Sequence, residues 1–407
     1  MKYNSSFKKI IIYGYLFLFP LLGPITPEFQ FAIGAVNSDM LWLFILSGLS
    51  VYLMINLKNK NFSKTFIFLI LYYLFILVNA FVTGNFHKIV KTDISLYASS
   101  IFVIFLIDNL QYNESDLKRI YKVMYVMVAI TLAGSLLQYF INPALFVPPG
   151  RYSMLSKIDF SGFWRNGSIF DSLMQNQSGL FFIFVLFPLL FNFRKFSEFK
   201  KVIPIVMILI AGFLTFSRYI IISQLIIMIF FLAFVGIKSR SAIPTYFFSM
   251  ILVALLAVQF YDEIINSDFF QVRMLADASG RTTDPFDFFT MYLGEHNILT
   301  GTGASSYMVE FFYGNIRRYH SGIWDLFFQG GLVGLFLWFL VVYQFHKKSV
   351  EIKKMSGYNL FLIVLPLFVF INLTARLNDF FYMGFLLIYL YMNILIDVNR
   401  QRRQFAG

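Results

Sequence analysis

The sequence predicts an all-α polytopic membrane protein of about 12 transmembrane helices, and three observations carry that class. Of the 407 residues, 58% are hydrophobic and only 13% are charged, with a mean hydropathy of +0.71. A soluble chain of this length cannot hide so much apolar surface. Apolar runs of about 18 residues or more recur throughout, the length an α-helix needs to cross hydrocarbon. No alternating strands of about 10 residues are visible, as a membrane β-barrel would require. Lipid offers no partner to a backbone N–H or C=O, so each span is read as a helix.

The first span, 10–26, follows Lys8 and Lys9 and resembles a signal peptide. No small-residue cleavage site follows it directly, so it is read as a retained helix. Spans at 40–56, 65–83, 94–108 and 120–140 come next, the fourth being short, and 173–193 follows a polar stretch. Residues 202–236 form one apolar run interrupted mainly by Ser217-Arg218. One helix of that length would be roughly 50 Å long and overshoot a hydrocarbon core of about 30 Å. Two helices, 202–217 and 219–236, joined by a tight turn at Ser217-Arg218 fit better. The remaining spans are 243–261, 322–343, 359–375 and 380–397. No repeat of 20–50 residues is apparent, so the chain is read as a single membrane domain, 1–407.

Basic residues orient the spans. With the N-terminus cytoplasmic, the inside segments hold 22 of the 33 lysines and arginines and the outside segments hold the other 11. Both termini are therefore read as cytoplasmic. The two sets also differ in kind: 16 Lys and 6 Arg inside, 8 Arg and 3 Lys outside. Lysines at helix ends anchor topology, whereas the rigid guanidinium fork suits phosphate and carboxylate. Two outer loops are large, 141–172 and 262–321.

The formal charge of +12 points to a nucleic-acid partner only if position is ignored, because most of the cations sit at helix ends on the inner face. There is no cysteine, which excludes disulfides, thiolate catalysis and Cys-based metal sites. The histidines are few and dispersed, no Asp-x-Asp occurs, and Asp284 and Asp287 read as loop solvation. No metal and no cofactor are expected.

The candidate chemistry lies on the outer face. Arg218, in LTFSRYIIIS, is flanked by apolar residues and must face protein or a wet cavity. The bland reading is a snorkelling side chain at a helical turn; the functional one is a phosphate ligand. Arg151 and Arg165 bracket the aromatic and polar part of the first large loop. RNGSIFDSLMQNQSG then leads into a helix, with Asn166, Asp171, Gln175 and Asn176 where it begins. Helix N-termini favour anions and amides suit sugar hydroxyls, although Asp171 or Ser172 also reads as an ordinary cap. The second loop carries Arg273, Arg281, His296, Arg317, Arg318 and His320. Within it, Gly301-Thr302-Gly303 reads as a tight turn that brings backbone close to something. His320, at the entry to a helix, is a candidate base for a hydroxyl or a donor to phosphate. His87 and His346 have weaker cases. Trp164, Tyr319 and Trp324 suit an interfacial belt, with sugar stacking as the alternative.

Taken together, LTFSR at 214–218, SGR at 279–281, LTGTG at 299–303 and RYHSGIWDLFFQGGLVG at 318–334 resemble the bacterial O-antigen polymerase and O-antigen ligase superfamily. RNGSIFDSLMQNQSG at 165–179 resembles that family's helix-leading Asn motif. The resemblance implies a C-type glycosyltransferase-like fold working without metal on the outer leaflet of the bacterial inner membrane. The implied donor is a glycan on undecaprenyl diphosphate. By motif position it implies Arg218, Arg281 and His320 as catalytic. Arg151, Arg165, Asn176, Arg273, Arg317 and Arg318 are read as substrate-binding. An Arg-x10-Gly pattern described for the family's polymerases is met by Arg151 and Gly162, and by no arginine of the second loop. Ser321 follows His320 where ligases often have asparagine, which tilts the resemblance toward a polymerase, with a chain-length regulator as possible partner. The rival within the family is a ligase that passes glycan to lipid A–core. From another class, a polysaccharide transporter or flippase would show internal repeats and charges near mid-membrane.

Overall fold

The structure is a computed structural model describing residues 6–22, 38–57, 60–88, 91–142, 198–214, 223–227, 297–304, 322–356 and 386–406. The described residues are almost entirely helical. In order they form α1 (Ser6–Leu22), α2 (Ser38–Asn56), α3 (Lys64–Val82), α4 (Lys91–Asn109), α5 (Glu114–Phe140), α6 (Glu198–Leu214), α7 (Gly322–Ser356) and α8 (Leu386–Ala406). A 3-10 turn, Phe86–Lys88, follows α3.

Three of these helices are long and apolar enough to cross a membrane: α3, α5 and the Ile323–Lys354 part of α7. At 1.5 Å per residue, the 19 residues of α3 span roughly 28 Å, close to the thickness of a hydrocarbon core. The exposed face of α3 is an apolar stripe of Ile67, Leu71, Leu74, Val78 and Phe81. The spacing of four and three residues keeps the stripe on one side of the helix. Water would penalise that surface; lipid tails would not.

Helix starts follow local chemistry. Ser63 caps α3 by accepting from the backbone N–H of Phe66 at 3.2 Å. Asn113 opens α5 with a capping box: its side chain accepts from Asp116 N, and the Asp116 carboxylate accepts from Asn113 N. This box starts the helix six residues before the span expected at 120–140. Asn113→Ala should cost about 1 kcal/mol, read as a small fall in the thermal unfolding midpoint in detergent. The helices α7 and α8 also continue beyond their expected spans, to Ser356 and Ala406.

The core is built around α8. Residues 386–394 are buried on every side, from Leu386 and Tyr389 to Ile394. A helix buried all round belongs at the centre of a bundle. The helix α8 contacts α7, α4 and α5; α7 lies along α3, α2 along α4, and α5 along α6.

The chain reverses between α6 and residues 223–227. Gln224 Nε2 donates to Ile208 O at 3.1 Å. In one continuous helix those residues would stand roughly 24 Å apart. The paired-helix reading of 202–236 therefore holds over its described part, and Ser217-Arg218 itself lies outside the described residues.

Polar side chains gather at the two ends of α3. At its N-terminal end, Asp108 accepts from Tyr389 Oη at 2.6 Å, from Lys348 Nζ at 3.3 Å and from Ser63 Oγ. Lys348 also donates to Asn393 Oδ1 at 2.9 Å and lies 4.0 Å from the centre of the Tyr389 ring. Nearby, Lys9 and Asp116 form a buried ion pair at 2.6 Å. Arg400–Glu351 and Arg402–Glu114 pairs stand at the exposed surface. Segments assigned to one side of the membrane by their lysines thus meet at one end of the bundle.

Candidate functional site

The other end of α3 meets the turn anticipated at Gly301-Thr302-Gly303. Asn297 starts it: its Oδ1 accepts from Leu299 N at 2.8 Å and its carbonyl accepts from Gly301 N at 2.9 Å. Gly301 (φ 74°) and Gly303 (φ 79°) occupy the left-handed region that favours glycine.

This turn is inserted into a break in α7. Gly331 has φ 57° and ψ −155°, which no helix tolerates. In an intact helix, Leu332 and Val333 would donate to the carbonyls of Phe328 and Gln329. Here those carbonyls accept instead from Thr302 N at 2.8 Å and Gly303 N at 2.9 Å. The freed N–H groups of Leu332 and Val333 donate to Ile298 O and Leu299 O, each at 3.0 Å. Four backbone bonds to the inserted turn thus stitch both lips of the break. Non-helical backbone at membrane depth persists only where protein satisfies it, and this turn does so.

The end of α3 fastens the turn from the other side. Asn79 Nδ2 donates to Thr300 O at 2.5 Å and to Gln329 O at 3.3 Å. Thr83 Oγ1 and Asn85 Nδ2 both reach Thr302 O, at 2.8 and 2.9 Å. The backbones approach so closely that a β-carbon on Gly303 would lie 2.2 Å from Ala80 Cα.

Beside this junction is a cavity of about 660 Å³. Phe75, Val78 and Val82 of α3 form its apolar side. Asn79, Thr83, Asn85, Asn297 and the Thr300–Thr302 turn form its polar side, and among the described residues no ionisable side chain lines it. The described lining is therefore amphipathic. It can hold a neutral polar group against amide and carbonyl oxygens while an apolar part rests on α3.

Arg151, Arg165, Asn176, Arg218, Arg273, Arg281, Arg317, Arg318 and His320 all lie outside the described residues, as do His296, Trp164 and Tyr319. His87 is exposed in the 3-10 turn. His346 stacks on Tyr343, with ring centres 6.1 Å apart. Trp324 stacks on Phe328 one turn further along α7, at 5.9 Å. Among the described residues, no three His, Asp or Glu side chains gather closely enough to hold a metal ion. Sequence reasoning passed over Asn79, Thr83 and Asn85. The signal was the run NAFVTGN, where amides and a hydroxyl interrupt the end of an apolar span. Comparison with known proteins finds no matching family model and no matching curated protein.

Proposed function

We propose that the chain is a polysaccharide polymerase of the bacterial inner membrane, with about 12 spans, cytoplasmic termini and two large periplasmic loops at 141–172 and 262–321. Its donor is an oligosaccharide repeat unit on undecaprenyl diphosphate, and its acceptor is the non-reducing end of a second lipid-linked unit. One observation carries the reading. Two glycine motifs of the resemblance, LTGTG and QGG, are 27 residues apart in the chain yet bonded backbone to backbone. A motif pair chosen for its order along the sequence thus acts as one structural unit. It joins the turn that runs to Ala304 to α7, which begins at Gly322, and the sequence between the two holds Arg317, Arg318 and His320.

The reaction follows from the charges. The acceptor hydroxyl oxygen attacks the donor's anomeric carbon. A glycosidic C–O bond forms, the bond between that carbon and the diphosphate oxygen breaks, and lipid diphosphate leaves. Guanidinium groups that neutralise the leaving diphosphate supply most of the rate. Arg218 and Arg281 take that role, assisted by Arg165 or Arg317, and His320 takes the hydroxyl proton or binds phosphate.

Arg218→Ala and Arg281→Ala should each lower polymer formation by about 100-fold or more, with the protein still inserted and accumulated. Arg→Lys at either position should fail as well, since a point charge does not replace the fork. A gel of surface glycan reads the result, and wild-type ladders from both alanine variants would remove the phosphate grip. Transfer to lipid A–core with no growth of lipid-linked chains would identify a ligase.

A further inference from the structure

One edge of α7 is built in two chemically different parts. Leu332, Phe336, Phe339 and Tyr343 are 50%, 60%, 61% and 41% exposed, and their spacing of four, three and four residues keeps them on one face. Trp338, Val341, Phe345 and Ile352, on the opposite face, are buried in the bundle. The next step of four residues reaches Lys347, which is exposed and holds its ammonium 4.9 Å from the centre of the Tyr343 ring. Phe339, Tyr343 and His346 stack in sequence, with ring centres 6.4 and 6.1 Å apart. An aromatic column thus leads along the helix to a cation. Its depth follows from the neighbouring residue. Lys348 and Ser63 both donate to the Asp108 carboxylate, and Ser63 caps the start of α3. Lys347 therefore stands at the level where α3 begins, one helical turn or roughly 6 Å beyond Tyr343. A headgroup layer is about 5–8 Å thick on each side of the hydrocarbon, which places the column among acyl chains and the ammonium among phosphates. Past that layer the same edge continues with exposed Lys353 and Lys354, and Arg403 donates to the Lys354 carbonyl at 3.5 Å.

We infer that this edge of α7 binds an anionic glycerophospholipid of the leaflet at that end of the bundle. The lipid phosphate accepts from the Lys347 ammonium and the Tyr343 hydroxyl, and the acyl chains lie along Phe336 and Phe339. The contact of the ammonium with the Tyr343 ring holds it beside the phenol, so less side-chain order has to be imposed when phosphate arrives. The cations further along select the headgroup. They attract a net negative charge and repel the ammonium of a zwitterionic lipid. The site does not depend on the polymerase reading, and it lies at the end of the bundle opposite the glycine turn.

The test titrates the full chain in detergent with phosphatidylglycerol that carries a fluorescent acyl chain, read by energy transfer from tryptophan. Trp338 stands on the same helix, five residues before Tyr343. Phosphatidylcholine with the same label, undecaprenyl diphosphate and inorganic phosphate are the comparison ligands. Phosphatidylglycerol should bind about fivefold more tightly than phosphatidylcholine, and Lys347→Gln should weaken it about fivefold, the loss of one cation at the membrane surface. Lys347→Arg should keep the affinity within about twofold, since the charge stays at the same depth. Lys353→Gln and Lys354→Gln should each change it by less than about twofold, because those side chains act through screened solvent. All the altered side chains are exposed, and the thermal unfolding midpoint checks each variant, with Lys347→Met as the substitute if glutamine lowers it. Equal losses at Lys347, Lys353 and Lys354 would mean a diffuse basic field and no site. Wild-type affinity in Lys347→Gln, or no preference over phosphatidylcholine, would overturn the inference as well. Displacement by inorganic phosphate, or tighter binding of undecaprenyl diphosphate, would hand the edge to a different ligand.

Discussion

Gly303→Ala is expected to abolish polymer formation and lower the thermal unfolding midpoint more than any other single methyl added to the described residues. The new β-carbon would lie 2.2 Å from Ala80 Cα and 2.3 Å from Ala80 N, both backbone atoms that cannot swing aside. The φ of 79° adds a strain of about 1–3 kcal/mol for any residue with a β-carbon. Relief requires the turn to leave α3 and α7. That exposes the Phe328 and Gln329 carbonyls and the Leu332 and Val333 N–H groups together, at about 1–3 kcal/mol for each group left buried and unpaired. Gly48→Ala is the control. It lies in α2 with nothing within 4 Å of the added carbon, so it should be neutral or slightly stabilising, by about 0.5–1 kcal/mol. Unfolding followed by tryptophan fluorescence in detergent compares the two. Equal midpoints would mean that the turn is not seated in the break.

The second large effect belongs to the opposite end. Asp116→Ala should cost about 3–5 kcal/mol, because it removes the carboxylate that balances the Lys9 ammonium in a buried position. The pair is separated by 2.6 Å, with side chains only 2% and 1% exposed. Asp116 also closes the cap of α5 through Asn113 N, so its loss frays the first turn. Lys9→Met combined with Asp116→Leu should recover most of the stability, since both buried charges are removed together. Denaturant midpoints of the two single variants and the double variant give the coupling. A double variant no better than Asp116→Ala would assign the loss to the cap alone.

Much of this architecture was legible in the sequence because membrane helices announce themselves by length and apolarity. The expected spans at 40–56 and 65–83 coincide with α2 and α3 within a few residues. Boundaries failed where a helix leaves hydrocarbon without ending. The first two turns of α5 and the last three of α7 carry charged and polar side chains, and hydropathy cannot see a helix continuing into water. The Asn113–Asp116 box was a readable start signal that hydropathy overrode. The glycine turn was anticipated as a close approach, but its partner was not. QGG was read as part of a motif within one continuous span, whereas Gly331 splits that span. The buried Lys9–Asp116 pair and the partly buried Asp108–Lys348 pair join residues 107 and 240 apart, so no local pattern marks them. The cavity residues of α3 were missed for a related reason: Asn79 and Thr83 gain meaning only when a segment more than 200 residues later arrives beside them.

The central position of α8 has a consequence for biogenesis. The ribosome delivers helices in order, and those before α8 enter the bilayer while the slot they surround still lacks its filling. Tyr389, Asn393 and Asp397, which supply partners to Ser63, Asp108, Tyr112 and Lys348, emerge only after those residues are already inserted. The hydrogen bonds that tie these early residues to α8 therefore close late, after the last of them has left the ribosome.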